Sequence, residues 1–142
     1  MSASAIADAL VTMYSAASAF GSRSVGKDYA VLEAATASGL VIGWQNVTQS
    51  PQAYGSPRST ERLWTFALEA FAKDTGANVN PRTLAVVDTV LNVIKADDTL
   101  QGTVTEVISI VGARSPGEAF TVGGATWLRM NFELQAREWP DG

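Results

Sequence analysis

Two residue types that carry much of enzyme chemistry are missing from this sequence: its 142 residues contain neither cysteine nor histidine. Without cysteine the chain can form no disulfide, no thiolate nucleophile and no Cys-ligated metal site. Without histidine it lacks the commonest general base and the commonest metal ligand. Any catalytic site would have to be built from Asp, Glu, Lys, Tyr, Ser or Thr. We therefore expect no enzyme activity, no catalytic residues, no cofactor and no bound metal.

Positive charge and long apolar runs are also scarce. Ten Lys and Arg residues stand against 14 Asp and Glu, a net charge of −4. This balance argues against a general nucleic-acid binder, because such proteins draw most of their affinity from basic side chains on phosphates. No run of 18 apolar residues could span a bilayer, and residues 1–20 lack the basic start of a signal peptide. We expect a chain that is made and kept in a cytoplasm, with no membrane partner.

The apolar content of 46% suits one globular domain over residues 1–142. Residues 3–19 place apolar side chains three and four apart, which predicts an amphipathic helix. A second helix is predicted over 81–96, because Asn80 and Pro81 give a capping residue followed by proline. Its predicted buried stripe is formed by Leu84, Val87, Leu91 and Ile94, widened by Val86, Val90 and Val93.

Four segments are typical of strands. Residues 39–47 form a short apolar run bounded by turn residues, which predicts a buried strand, while residues 103–111 and 126–137 alternate between apolar and polar side chains. Residues 61–73 fit a strand or a helix, and we favour a strand because of their aromatic content. Residues 29–37 fit a strand or a short helix equally well. The resulting fold class is α+β: an antiparallel or mixed sheet packed against two main helices, in the order helix, strands, helix, two strands.

One polar connection, from Gln49 to Thr60, stands out as a candidate contact loop, because it is long and contains proline and glycine. Residues Gly112 to Gly124 are predicted to form a glycine-rich excursion that contains Pro116. A third segment, Gly21–Asp28, is similar to the phosphate-binding pattern GxxxxGK[ST]. Here a helix precedes the segment and Asp28 replaces the hydroxyl, so we interpret it as a linker.

The carboxylates and tryptophans allow two readings each. Asp97-Asp98 could serve acid/base or metal chemistry, but a solvated turn after the helix explains the pair. Trp64 is expected in the core. Trp127 is opposite in phase to the inward residues of its strand, and Trp139 lies in the C-terminal tail. Outward aromatic side chains are common interface anchors, although helices covering both sheet faces would bury them instead.

The order of elements resembles the tail terminator (tail completion) proteins of long-tailed bacteriophages. An aromatic strand ends at Phe71–Asp74, a helix begins at Pro81, and an Asp-x-x-Leu-x-Gly turn follows at residues 97–102. A strand, a glycine-rich bend and a closing strand from Trp127 to Arg137 complete the pattern. The earlier half is similar too, with a helix, a strand through 41–44 and a loop.

This resemblance implies a structural virion protein rather than an enzyme. Its members form a ring, usually a hexamer, which caps the finished tail tube and docks to the head–tail connector protein. Genomic DNA would pass through the lumen without specific binding, and net acidity suits such a conduit. The chain would be assembled in the host cytoplasm and reside at the head–tail junction of the virion. The candidate interface residues are Tyr54, Arg58, Arg62, Arg114, Trp127 and Trp139.

Two alternatives remain open from the sequence. One is another virion component: a head–tail connector stopper or adaptor, or a tube protein. The other is a small α+β ligand-binding domain or enzyme of the ketosteroid-isomerase-like type, which would need an ionisable group in an apolar pocket. Glu106 is the one candidate for that group among the inward positions of the clearest strands.

Overall fold

The computed structural model describes residues 2–20, 24–35, 37–51, 60–73, 79–122 and 124–139. Eight elements follow in chain order: α1 (Ala3–Ser15), β1 (Val25–Gly26), α2 (Val31–Ala34), β2 (Ser38–Pro51), β3 (Thr60–Lys73), α3 (Val79–Ala96), β4 (Glu106–Val122) and β5 (Ala125–Glu138). The strands form one five-stranded sheet in the order β1-β2-β3-β5-β4. All pairings are antiparallel except the short parallel pairing of β1 with β2. The predicted α+β fold class is confirmed.

One face of the sheet, called here the helix face, carries the main core under α1 and α3. Alternate residues of β3 point to this face, among them Phe66 and Leu68, and both are fully buried. The register places Leu134 and Phe132 of β5 directly beside them. Tyr14 of α1 joins the two helices, because its hydroxyl donates a 2.8 Å hydrogen bond to a carbonyl oxygen of α3. The strand prediction for residues 61–73 is confirmed, because their alternation matches a half-buried strand.

Within the described residues, the opposite face, called here the open face, is covered only at one end. There α2 packs on the sheet and closes a second apolar cluster, formed by Leu32, Ala35, Val41, Phe71 and Trp127. The ambiguous residues 29–37 therefore contain a short helix rather than a strand. Because this helix is only four residues long, its existence depends on the contact with the sheet more than on local propensity.

Helix α3 has its predicted end, and its predicted buried stripe is confirmed at Val86, Val90 and Ile94 but not at Leu84 and Leu91. The helix begins at Val79, so Asn80 and Pro81 lie in its first turn instead of capping it. Among residues 83–96 the buried positions are Thr83, Val86, Val90 and Ile94, whereas Leu84 and Leu91 are exposed. Apolar residues surround most of this helix, and its contacts with β3 and α1 select the side that is buried.

The chain between residues 112 and 124 is the main error of the sequence interpretation. It is not a glycine-rich bend, because β4 continues to Val122 and pairs with β5 up to a tight turn at Gly124. The ladder is interrupted only by register shifts at Val107/Ser109 and Arg114/Ala119. Strands β2 and β3 also extend further than predicted, so residues 49–51 and 60 belong to strands, and 52–59 lie outside the described residues.

Candidate assembly interface

Most charged side chains of the two central strands are bound within the chain. Arg137 of β5 lies on the open face, where its Nε donates to Glu61 of β3 at 2.7 Å and its Nη1 to Glu106 of β4 at 2.8 Å. The guanidinium thus links three neighbouring strands at one end of the sheet. Each such half-exposed pair contributes modestly, about 0–1 kcal/mol. Glu106 belongs to this surface network and does not point into an apolar pocket.

Arg62, a predicted interface residue, is also committed inside its own chain. Its Nε donates to Gln49 Oε1 at 2.8 Å, and its Nη1 lies 3.3 Å from Glu138 Oε1. Glu138 is buried, and the same oxygen accepts from Trp64 Nε1 at 3.4 Å. The corner therefore joins β2, β3 and β5 on the helix face.

The other predicted interface residues divide into three groups. Tyr54 and Arg58 lie outside the described residues. Arg114 is placed by its backbone in β4, opposite Met130 of β5. Trp139 is half-buried, and its backbone amide donates to Thr105 Oγ1 at 3.1 Å.

Trp127 corrects the expectation of an outward aromatic anchor. It does lie on the open face, opposite in phase to Met130 and Phe132, but it is only 1% exposed. The α2 segment covers it in the second apolar cluster. The alternative reading, that helices cover both faces, is therefore correct at this position.

Asp97 holds the turn after α3 together. Its carboxylate accepts hydrogen bonds from the amide and hydroxyl of Thr99 and from the amide of Gln101, at 2.7–3.1 Å. These bonds, led by the one from the Thr99 side chain, hold the pKa of Asp97 below its ordinary value of 3.8. The turn passes through three left-handed residues, Leu100, Gln101 and Gly102, with φ of 49°, 59° and 78°. The Asp-x-x-Leu-x-Gly pattern thus encodes a turn, with Leu100 buried in the core.

The segment that is similar to a phosphate-binding loop has structural roles where it is described. Val25 and Gly26 form β1 on the flank of β2, and Lys27 pairs with Asp8 of α1. Residues 21–23 lie outside the described residues. Within the described part of the chain, no group of three or more Asp and Glu residues is arranged to hold a metal ion.

Exposed apolar residues lie at both margins of the sheet, which the sequence did not predict. Trp44 and Val47 of β2 are 55% and 40% exposed, although β2 was expected to be buried. Ile108 and Val111 of β4 are 43% and 65% exposed. All four lie on the outer two long strands of the sheet, so position in the sheet and not residue type determines their exposure. Their shared signal in the sequence is a pair of apolar segments with no charged residue.

A groove of about 340 Å³ runs beside the outermost strand, between α3 and β4. Its apolar lining comes from Leu91 and Ile94 of α3 and from Val107, Ile108 and Ile110 of β4, and Lys95 and Asp98 mark its charged end. A groove of this kind can take apolar side chains from a partner, with a charged rim that sets their orientation.

Neither a scan against models of known protein families nor a search of curated proteins finds a match to this chain. Among the helices in the described ranges, none is long and apolar enough to cross a membrane.

Proposed function

We propose that this chain is a structural subunit of a phage virion, which forms a ring that caps the tail tube and joins it to the head–tail connector. The order of elements that resembles tail terminators supports this proposal. The observation that carries it is the exposed apolar side chains at both margins of the sheet, on β2 and on β4, with the groove beside β4. Apolar side chains that stay exposed at such places are typical of protein–protein contact sites.

The charge distribution fits the same role. The described acidic and basic side chains of the central strands are largely satisfied within the chain, as the Arg137 pairs with Glu61 and Glu106 show. Contact between subunits would then depend on apolar side chains and backbone groups at the margins of the sheet. Net acidity would keep the phosphates of passing DNA from adhering to the ring.

The alternative virion roles, a connector stopper or adaptor or a tube protein, require the same kind of subunit contact. The ketosteroid-isomerase-like alternative requires an open pocket between helices and sheet. Side chains of Tyr14, Phe66, Leu68 and Phe132 fill that space here, so this alternative gains no support from the fold.

Native mass spectrometry and negative-stain imaging of the purified protein test the proposal. We expect a closed ring of about six copies with a central hole, in accord with the terminator resemblance and with the closed symmetry of most soluble homo-oligomers. Binding of the ring to the end of purified tail tubes would separate a terminator from a connector protein. A compact dimer that never forms rings would refute the proposal.

A further inference from the structure

Both outer margins of the sheet contain an open stretch without charged residues, although β4 as a whole carries Glu106, Arg114 and Glu118. Among the described residues, no strand pairs with the outer side of β4, and β1 covers β2 only at Leu40 and Val41. The open part of β2, residues 42–51, contains no charged residue, and neither does Val107–Ala113 of β4. The central strands β3 and β5 carry four charged residues each. Isolated sheets usually show the reverse, because charges and short strands at the edges prevent unwanted pairing.

The backbone groups of both strands point outward at alternate residues. The amide of Leu40 donates to the carbonyl oxygen of Ser24, which directly precedes β1, so the backbone groups of Leu40 point away from β3. Ile42 and Trp44 follow at two-residue steps and direct their backbone groups the same way. The register shift after Trp44 leaves Val47 opposite Trp64, so Val47 keeps that outward direction. Pro51 lies four residues after Val47, so its backbone nitrogen also points away from β3. A proline at this position therefore removes no hydrogen bond between β2 and β3.

The backbone of β4 also points outward at alternate residues. The Val107 amide donates to Asp98 at 2.7 Å, which directs the Val107 backbone away from β5. Val107 pairs with Ala136 of β5, while Ile110 and Gly112 pair with Leu134 and Phe132, which lie two and four residues before Ala136. Residues two apart in a strand direct their backbone groups the same way, so the backbone groups of Ile110 and Gly112 also point outward. Each margin therefore offers free hydrogen-bonding positions within the described residues.

Strand directions make these two margins complementary. The four long strands in the order β2-β3-β5-β4 alternate in direction, so β4 runs opposite to β2. A second copy placed alongside in the same orientation would present its β2 antiparallel to β4 of the first. The alternation would then continue across the subunit boundary without a break.

The side chains agree with this arrangement. Trp44 and Val47 lie on the helix face, because the register places them opposite Phe66 and Trp64. The groove between α3 and β4 opens on that same face at the other margin. In head-to-tail pairing, the exposed indole of one copy lies beside the apolar groove of the next.

We propose that the subunits associate through β-strand addition, with the β2 margin of one copy pairing antiparallel with the β4 margin of the next and Trp44 packing at the α3–β4 groove. The occupant of the groove is thus a second copy of this chain. The inference rests on the proposed function, since it specifies the contact that builds the ring. The contact is heterologous, so it excludes a two-fold dimer and builds a ring when the rotation between successive subunits closes.

Single lysine substitutions at each margin test the pairing. We expect Val111→Lys, on β4, and Trp44→Lys, on β2, each to turn rings into monomers, measured by size exclusion with light scattering. Leu84→Lys is the matched control, because Leu84 is 59% exposed, close to the 65% of Val111, but lies on α3 and not on a margin strand. Far-UV circular dichroism checks that each variant is folded, and Ile108→Lys and Val47→Lys replace any variant that is not.

Mixing the two variants gives the decisive result. Each has one intact margin, so a mixture of Val111→Lys and Trp44→Lys subunits should form dimers that cannot extend. A mixture that stays monomeric, or a Trp44→Lys variant that still self-associates through β4 alone, would overturn the inference. Equal loss of rings in Leu84→Lys would do so too.

The outcomes also separate the two proposals. Rings that persist in both margin variants would refute the strand pairing and leave the ring proposal intact. A wild-type chain that forms no ring at its highest soluble concentration would count against both.

Discussion

Gly112 offers a sharp test of why β4 is a strand where the sequence suggested a bend. It stands directly opposite Phe132, and a Cβ atom at this position would lie 3.1 Å from Cζ of the ring and closer still to two other ring carbons. Phe132 is buried in the main core, so its ring cannot simply swing away. The glycine is therefore required by the close approach of the aromatic ring and not by a turn.

We expect Gly112→Ala to destabilise the fold through this clash. Forcing an extra carbon into a packed site costs about 1–3 kcal/mol. The substitution also gains about 0.5–1 kcal/mol from reduced backbone entropy in the unfolded chain. Gly43→Ala is the matched control, because Gly43 also lies in a strand and its new Cβ would meet only a carbonyl oxygen at 3.9 Å. The difference between the two variants should isolate the clash, at about 1–3 kcal/mol.

Urea unfolding followed by far-UV circular dichroism measures both variants, at one protein concentration because assembly raises apparent stability. We expect a lower midpoint for Gly112→Ala, an equal or higher midpoint for Gly43→Ala, and unchanged slopes. Phe132→Leu should relieve the clash, so the double variant Gly112→Ala/Phe132→Leu should lose less stability than the two single variants together, by about 0.5–3 kcal/mol. Equal midpoints for the two alanine variants, or strictly additive losses, would refute the reasoning.

Three further predictions concern single side chains. Tyr14→Phe should cost about 1 kcal/mol near neutral pH by removing the hydrogen bond to Val90. Burial raises the pKa of Tyr14 above its ordinary 10.0, so the wild type should lose stability as pH rises above 10. Thermal melts across that pH range should therefore show a shrinking difference in stability between the variant and the wild type. Asp97→Ala should cost about 1 kcal/mol at pH 7 by removing the hydrogen bonds that the carboxylate accepts. Because the pKa of Asp97 is lowered in the folded chain, the stabilisation by this carboxylate is present above pH 3.8 and is lost as pH falls below it. Acid unfolding curves of the variant and the wild type should therefore converge below pH 3.8. Arg62→Glu should destabilise the isolated subunit, because it places a second carboxylate beside Glu138. The urea midpoint at low protein concentration measures this loss, and an unchanged midpoint with weakened rings would instead assign Arg62 to the subunit contact.

The two central strands and α3 were predictable because their signals are local. Alternation of side chains in β3 and β5 follows from the two-residue period of a strand. The end of α3 follows from Asp97, whose carboxylate accepts the hydrogen bonds of the next turn. In each case the residues that specify the element are neighbours in the chain, so no distant partner is needed.

Other features depended on residues far away in the chain. Gly112 looks like a turn residue until Phe132 is placed across from it, and Trp127 looks exposed until α2 covers it. Leu84 and Leu91 have the spacing of core residues, but β3 contacts a different side of α3. Trp127 was chosen as a candidate interface residue because it looked exposed in the sequence, but the distant segment α2 buries it within the subunit.

The sequence by itself determined the fold class, the main elements and the lack of histidine and cysteine chemistry, because composition and short-range periodicity carry that information. Only the tertiary structure decided which strands lie at the margins of the sheet and which apolar side chains remain exposed there. Strand order results from pairings between distant segments, and an apolar residue such as Trp44 is buried or exposed according to what lies beside it. The candidate contact surface is therefore a property of the sheet as a whole.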